Sequence, residues 1–263
     1  MMSDGSGAHV GPAETGGVSI EALSCGIDGL RVTLDAPARR LDPSARRRVD
    51  EWWERETARN PRLFDGPVLS CVEIDAPGGL VRCRRASYRD LACQPTVESG
   101  VMQLSVTGVT TVRGPDGREH VVLGRRGAQT RVYAGMWELA PSGGVDHPVR
   151  AASDEAESLG GRDLWRQLMV EFEEELGLED LPGPIAPVDP MCLCIDRVAR
   201  SVDVVFLVRV PGRSPDALAR GDAGWEYGQV RCVPIDGLRE FDLRHGAEII
   251  GPTRALMRWM GWV

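Results

Sequence analysis

The chain has 263 residues, of which 42% are hydrophobic, and it carries 31 basic against 39 acidic residues for a net charge of −8. This length and composition provide a substantial core for one large or two small domains. All 31 basic residues are arginine, which excludes reactions that need a lysine, such as P-loop phosphate binding and Schiff-base catalysis. The acidic balance argues against nonspecific binding to the phosphates of nucleic acids.

The N-terminal residues and the cysteines indicate the cellular compartment of the protein. Residues 1–17 are polar and rich in glycine, and they predict a flexible tail. The seven cysteines form no C-x-x-C pair, a pattern typical of free thiols in a reducing compartment. Neither a signal peptide nor a membrane-spanning run is recognisable, so we expect a cytoplasmic protein without membrane contacts.

Residues 18–97 are predicted to form a small α+β domain. A helix is expected to begin after Asp42, a good N-cap residue, and to end before Pro61, since proline cannot continue a helix. β-Branched and apolar runs separated by turn residues indicate strands over 30–34, 68–74 and 80–84.

Residues 98–263 are predicted to form a second domain in which strands and helices interleave. The strands are expected over 104–112, 120–126, 191–196, 202–210 and 229–234, the first two as a hairpin, and the helices over 163–176 and 247–262. Because no βαβ spacing repeats, this order favours an α/β (α+β) protein with a mixed sheet between helices over a doubly wound sheet. Cys192 and Cys194 alternate within a predicted strand and are expected to face the core.

The predicted helix over 163–176 carries a set of carboxylates on one face. Helical geometry places Glu171, Glu174 and Glu175 within an arc of about 100°, whereas Glu173 points elsewhere. Like charges at this spacing repel one another unless a cation lies between them. A hard divalent ion such as Mg²⁺ suits three carboxylates, and an ordinary solvated acidic face is the alternative.

The residues around these glutamates resemble a known family motif. Residues 171–178 match the pattern E-U-x-E-E-x-G-U, where U is apolar, and residues 137–144 resemble the strand and Gly-Gly turn that open the same motif. The region from about residue 100 onward therefore resembles a Nudix hydrolase. This resemblance implies an α/β/α sandwich, bound Mg²⁺ or Mn²⁺, and cleavage of nucleoside diphosphates linked to another group.

The match to the family motif has two departures. Val170 stands where the family has an arginine, and the spacing to the Gly-Gly turn is longer, which indicates an insertion around residues 146–162. The first glutamate of the motif has no clear counterpart, and three acidic residues are candidates for it: Asp163, Glu157 and Glu155. The lost arginine is compatible with an active enzyme and also with a catalytically silent member.

Three segments outside the motif narrow the resemblance to Nudix enzymes that hydrolyse UDP-sugars. They are residues 60–67, the Ser-Tyr-Arg-Asp run at 87–90 and the Trp-Glu pair at 225–226. Those enzymes also have an N-terminal domain, lack the arginine of the motif and carry a long insertion after the Gly-Gly turn.

The resemblance implies roles for the glutamates of the motif. Glu171, Glu174 and Glu175 would be metal ligands, completed by the carbonyl of Gly143 or Gly144. Glu171 would alternatively take a proton from the attacking water.

Further site residues are expected from late loops and from the N-terminal region. Glu226 is expected to add a carboxylate as ligand or base, with a surface glutamate as the alternative. Arg125 and Arg126 are candidates to bind a phosphate with their guanidinium groups, or they simply flank a strand. Tyr88 and Arg89 would lie where a base or ribose binds, or form a capping turn between domains.

Two further aromatic residues, Phe64 and Trp137, are expected in the core rather than stacked on a base.

The sequence leads to three functional hypotheses. The first is metal-dependent hydrolysis of a nucleoside diphosphate sugar to a nucleoside monophosphate and a sugar 1-phosphate. The second keeps the chemistry but changes the substrate to ADP-ribose, a dinucleotide or a prenyl diphosphate. The third is a nucleotide-binding domain without turnover. In each case the expected partner is a small diphosphate molecule, and formation of a homodimer is left open.

Overall fold

The computed structural model of the chain describes residues 13–146, 158–177, 185–219 and 226–263. The strands in this part of the chain are β1 (Ala13–Thr15), β2 (Val18–Ala22), β3 (Arg31–Thr33), β4 (Pro67–Asp75), β5 (Leu80–Ser87), β6 (Gln103–Arg113), β7 (Glu119–Arg126), β8 (Trp137–Leu139), β9 (Ser142–Gly144), β10 (Ser158–Gly160), β11 (Pro190–Asp196), β12 (Ser201–Val210) and β13 (Tyr227–Pro234). The helices are α1 (Pro43–Arg59), α2 (Tyr88–Ala92), α3 (Gly161–Leu176), α4 (Pro215–Ala219), α5 (Leu238–His245) and α6 (Gly251–Trp259).

The sheet is mixed, as the sequence predicts from the order of strands and helices along the chain. β6 and β12 pair in parallel along ten register positions, from Gln103 with Ser201 to Val112 with Val210. β11 runs antiparallel to β12, and β2 runs antiparallel to β11. The order β1-β2-β11-β12-β6-β4-β5-β3-β10 forms the main path, with β7, β8, β9 and β13 attached to it through β6 and β7.

Helices cover both faces of this sheet. On one face α3 packs against β12, with the rings of Trp165 and Phe206 in edge contact at 5.5 Å. On the other face, α5 and α6 bury Phe241 and Leu256 in a second core that contains Val205 of the same strand. Alternate residues of β12 therefore serve the two cores, which is the arrangement of an α/β/α sandwich.

Helix α1 forms where its terminal residues predict it. The side chain of Asp42 accepts hydrogen bonds from the backbone N–H groups of Ser44 and Ala45, both at 2.9 Å. This caps a helix whose first residue is proline, and the helix ends one residue before Asn60-Pro61. The prediction for this element is confirmed.

The predicted tail and terminal helix need correction. β1 pairs with β2 after a turn at Gly16 and Gly17, both with positive φ, so backbone pairing begins before the predicted end of the tail at residue 17. Residues 1–12 lie outside the described residues. The terminal helix begins at Gly251 rather than at 247, because Pro252 fits only the first turn of a helix. The sequence analysis did not predict α5.

The sheet crosses the domain boundary predicted at residues 97/98. β2, from the N-terminal region, pairs with β11, and β3 pairs with β10. The division into two domains stays a prediction, and hydrogen bonds of one sheet join the two regions.

All seven cysteines are free thiols, and Cys192 and Cys194 are buried as predicted. Among the described helices, none combines the length and apolar character needed to cross a membrane.

Candidate active site

An open cavity of about 860 Å³ lies where α3, the sheet and the N-terminal region meet. Glu171 and Glu174 of α3 line one side, and the turn at Ser142–Gly144 lies next to them. The N-terminal region also supplies lining residues, among them Trp52 and Tyr88. The cavity has the size of a small-molecule site.

The ends of α3 fix its orientation over the cavity. The Asp163 carboxylate accepts a hydrogen bond from the backbone N–H of Gly160 at 2.8 Å, which closes the first turn. Gly177 ends the helix in the left-handed conformation, with φ of 60°. Between them, Leu168 and Phe172 are buried on the sheet, so the helix is held along its length with Glu171 and Glu174 at the cavity.

Glu171 is half-buried and tightly placed. Its carboxylate accepts a hydrogen bond from the side-chain amide of Gln167 at 2.9 Å. The carboxylate also lies against Gly143, where a Cβ atom would overlap it. Burial raises the pKa of Glu171 to about 7, and the negative charges of Glu174, Glu226 and Asp146 act in the same direction.

Glu175 lies deeper, with 2% of the residue exposed. The backbone N–H of Ser142 donates a hydrogen bond to its carboxylate at 2.9 Å. Burial and the neighbouring carboxyl of Glu226 raise the pKa of Glu175 well above its usual range. Two carboxyl groups in such contact need a proton or a cation between them.

Glu226 reaches the site because β13 begins there. The backbone N–H of Gly127, at the end of β7, donates to the Glu226 carbonyl at 2.7 Å. The structure thus brings Glu171, Glu174 and Glu226 to one cavity, with Glu175 next to it. In the described part of the chain, no group of three or more Asp, Glu, His or Cys side chains is arranged to hold a metal ion as it stands. The donor set is nevertheless one that hard divalent cations prefer, because every side chain in it is a carboxylate.

The two adjacent arginines of β7 have different surroundings. Arg126 lines the cavity and forms an ion pair with the buried Glu138, with 2.6 Å between Nη1 and Oε1. Arg125 is not among the cavity-lining residues; it donates to the Gly135 carbonyl at 2.8 Å and pairs with Glu248 at 2.9 Å. Their predicted role in phosphate binding stays a prediction, and only Arg126 is placed at the cavity.

In the N-terminal region, Tyr88 lines the cavity and its backbone N–H donates to the Gly66 carbonyl at 2.8 Å. Arg89 points to Asp50 and Asp65, with ion-pair distances of 3.0 and 3.3 Å, and is not among the cavity-lining residues. Substrate binding by these two residues stays a prediction.

The expectation for the two aromatic residues is confirmed for one and wrong for the other. Trp137 is buried in the core, in edge contact with Phe241. Phe64 is 75% exposed and lines the cavity, because it lies in the loop between α1 and β4 and not in an element of the core.

The candidates for the missing motif glutamate do not come to the cavity within the described residues. Asp163 caps α3 and pairs with Arg166. Glu155 and Glu157 lie outside the described residues, as do Trp225 and most of the predicted insertion. Val170, which stands where the resembled motif has an arginine, is exposed on α3.

Sequence reasoning missed a group of polar side chains on the sheet beneath the cavity. We call them the polar floor, defined as Ser105 and Thr107 of β6 together with Ser201 and Asp203 of β12; all four line the cavity. Burial raises the pKa of Asp203 to about 6. The signal in the sequence was the alternation of Ser201 and Asp203 with apolar residues in a strand otherwise suited to the core.

Comparison with known proteins finds similarity among solved structures. No family model matches the chain, and no curated protein sequence matches it. A Nudix hydrolase from M. smegmatis is 11% identical, with 60% of this chain and 83% of that chain covered and a TM-score of 0.42. A Nudix hydrolase from Alicyclobacillus acidocaldarius is 17% identical, with 59% and 89% covered and a TM-score of 0.38. Activity has to be inferred from the residues at the cavity.

Proposed function

We propose that the protein is a metal-dependent hydrolase that cleaves the diphosphate of a nucleoside diphosphate sugar of the UDP-glucose type. The products would be a nucleoside monophosphate and a sugar 1-phosphate. The observation that carries this proposal is the meeting of Glu171, Glu174 and Glu226 at one open cavity, with Glu175 beside them. The motif over 171–178 and its resemblance to Nudix hydrolases support the same chemistry.

The charge of the cavity explains why a cation is needed. Glu171, Glu174, Glu226 and Asp146 all line it, and such a site repels a diphosphate. Glu171, Glu174 and Glu175, with the carbonyl of Gly144, would hold Mg²⁺ or Mn²⁺. A bound divalent ion neutralises the diphosphate charge and lowers the pKa of a coordinated water.

In this proposal Glu171 takes the proton from the attacking water, with Glu226 as the alternative base. Gln167 fixes one carboxylate oxygen, and the close approach to Gly143 fixes the position of the carboxyl group. As the water oxygen forms its bond to one phosphorus, the water proton moves to Glu171. The bond from that phosphorus to the bridging oxygen breaks, and its electron pair leaves with the departing phosphate.

Glutamine substitutions on α3 test this proposal. Glu174→Gln and Glu175→Gln remove a negative charge with little change of shape, so each should lower turnover by about a hundredfold or more while the fold is retained. Glu173→Gln is the matched control, because Glu173 is exposed on the same helix and is not among the cavity-lining residues. Turnover is measured as UMP and glucose 1-phosphate released from UDP-glucose, with Mg²⁺, Mn²⁺ or a chelator.

Each other outcome contradicts part of the proposal. Near-wild-type turnover by both Glu174→Gln and Glu175→Gln would contradict the assignment of these residues as metal ligands. Activity that survives the chelator would exclude the metal. If ADP-ribose, a dinucleotide or a prenyl diphosphate is cleaved and UDP-glucose is not, the substrate assignment is wrong. Nucleotide binding without turnover of any of them would make the protein a nucleotide-binding domain.

A further inference from the structure

The polar floor is a continuous patch on one face of two paired strands. Ser201 and Asp203 are two residues apart on β12, and Ser105 and Thr107 are two apart on β6. In the parallel register, Asp203 lies directly opposite Ser105. Because side chains two residues apart share a face, all four groups meet beneath the cavity.

Asp203 is an unusual residue for this position. It is 8% exposed, and burying a carboxylate is unfavourable unless it is well paired. Its partners are two hydroxyl groups, Thr107 Oγ1 at 3.0 Å and Ser201 Oγ at 2.7 Å. Arg126 is the arginine that acts on it electrostatically, and this arginine is already paired with Glu138.

The neighbouring Asp196, in contrast, has a structural role. Its carboxylate accepts hydrogen bonds from the backbone N–H groups of Val198 and Ala199, at 2.8 and 3.1 Å, and from the Tyr133 hydroxyl at 2.7 Å. Those contacts shape the turn between β11 and β12. Asp203 closes no turn and caps no helix, and each of its oxygens has one lone pair free for a further hydrogen bond.

Ser105 provides a second, independent observation. It is 6% exposed and lines the cavity, and its hydroxyl has no hydrogen-bond partner among the residues that the structure describes. A hydroxyl that faces a cavity and makes no hydrogen bond within the protein is available to donate to, and accept from, a ligand in that cavity.

The chemistry of the floor selects a class of ligand. It offers a carboxylate and three hydroxyl groups, so it repels phosphate and accepts hydrogen bonds from neutral donors. A sugar ring presents several such donors at neighbouring carbons. We infer that the polar floor binds the hydroxyl groups of the sugar in the substrate, with Ser105 and Asp203 as the residues that determine specificity for it. This inference rests on the proposed function and names the part of the cavity that holds the sugar ring.

A pair of substrates separates sugar binding from the rest of the site. UDP-glucose and the methyl ester of UDP share the nucleotide and the diphosphate, and only the first carries sugar hydroxyls. The measured quantity is the ratio of kcat/KM for UDP-glucose to kcat/KM for the methyl ester. Wild type is compared with Ser105→Ala and Asp203→Asn, and circular dichroism checks that each variant is folded.

In Ser105→Ala the ratio is expected to fall about 3- to 10-fold, because a neutral hydrogen-bond partner of the sugar is lost. In Asp203→Asn it is expected to fall about 10- to 100-fold, because a charged partner is lost. Ser105→Ala removes no hydrogen bond between protein groups in the described residues, so a structural role would leave the ratio unchanged. Ser19→Ala is the matched control, because Ser19 is 4% exposed, its hydroxyl also lacks a partner, and it is not among the cavity-lining residues.

The results separate this inference from the proposed function. If wild type cleaves both substrates and neither variant changes the ratio, the proposed function stands and the sugar assignment is overturned. An equal loss for both substrates also overturns it, because the floor would then contact the nucleoside. If wild type cleaves neither, the same ratio is taken from dissociation constants measured by calorimetry with Mg²⁺. A wild type that does not bind UDP-glucose overturns the inference.

Discussion

The residues at the cavity differ in how readily the sequence alone identifies them. The glutamates of α3 are recognisable from helical spacing, because residues three and four apart lie on one face. Asp203 and Glu138 are single acidic residues in apolar strands, and their importance appears only when the strands are assembled around a cavity. Phe64 shows the opposite error, since apolar character alone predicted burial and the ring is exposed.

The buried carboxylate of Asp203 should make stability depend on pH. Its pKa rises from an ordinary 3.8 to about 6 in the fold. Its contribution to stability is therefore fully present below about pH 3.8 and is lost as the pH rises through 6. The charged and hydrogen-bonding groups that face it are Thr107, Ser201, Asp196 and Arg126.

Asp203→Asn removes this loss, because an amide does not ionise. Between about pH 4 and pH 7, the unfolding free energy of the variant should gain up to about 3 kcal/mol on that of wild type. Urea denaturation at a series of pH values, with a chelator present, measures the difference. If the difference in unfolding free energy between the two proteins does not change with pH, burial does not raise the pKa of Asp203.

At the scale of elements, the contact between α3 and β9 positions the site. β9 pairs with β6, which places Gly143 opposite Val106 and directly under the carboxylate of Glu171. The sequence indicated both the helix and the Gly-Gly turn. It did not indicate that the turn is a strand of the sheet, since three residues are too few for a recognisable pattern.

Gly143→Ala tests this contact. The new methyl group would overlap the Glu171 carboxylate, so the side chain must move away from its place next to Glu174. We expect turnover to fall about tenfold or more with the fold retained. Gly237→Ala is the control, because the nearest atoms to a Cβ there lie 3.9 Å away. Equal activity of Gly143→Ala and wild type would show that the close approach has no role in positioning Glu171.

At the scale of the whole molecule, the N-terminal region completes the sheet. β2 covers the edge of β11, and its residues Val18 and Ile20 are buried in the core beneath α5 and α6. The sequence predicted a domain boundary because composition and turns change there. Pairing between strands that are far apart in the chain leaves no local signal.

A chain of residues 98–263 should therefore not fold by itself. It would expose the edge of β11 and part of the second core, and we expect it to aggregate or to unfold without cooperativity. A chain of residues 13–263 is the control, since it keeps every described strand. Thermal unfolding followed by circular dichroism distinguishes the two, and a cooperative transition of 98–263 would establish an independent domain.

The sequence by itself determined the mixed α/β class, the capped helix α1, the hairpin and the carboxylates of α3, because all of these depend on spacing within one segment. The tertiary structure decided which distant residues share the cavity: Glu226 beside Glu175, Arg126 paired with Glu138, and the polar floor under both. The contact of Glu226 with Glu175 and the pairing of β6 with β12 join segments that are far apart in the chain. They arise from packing and strand register, which no local pattern records.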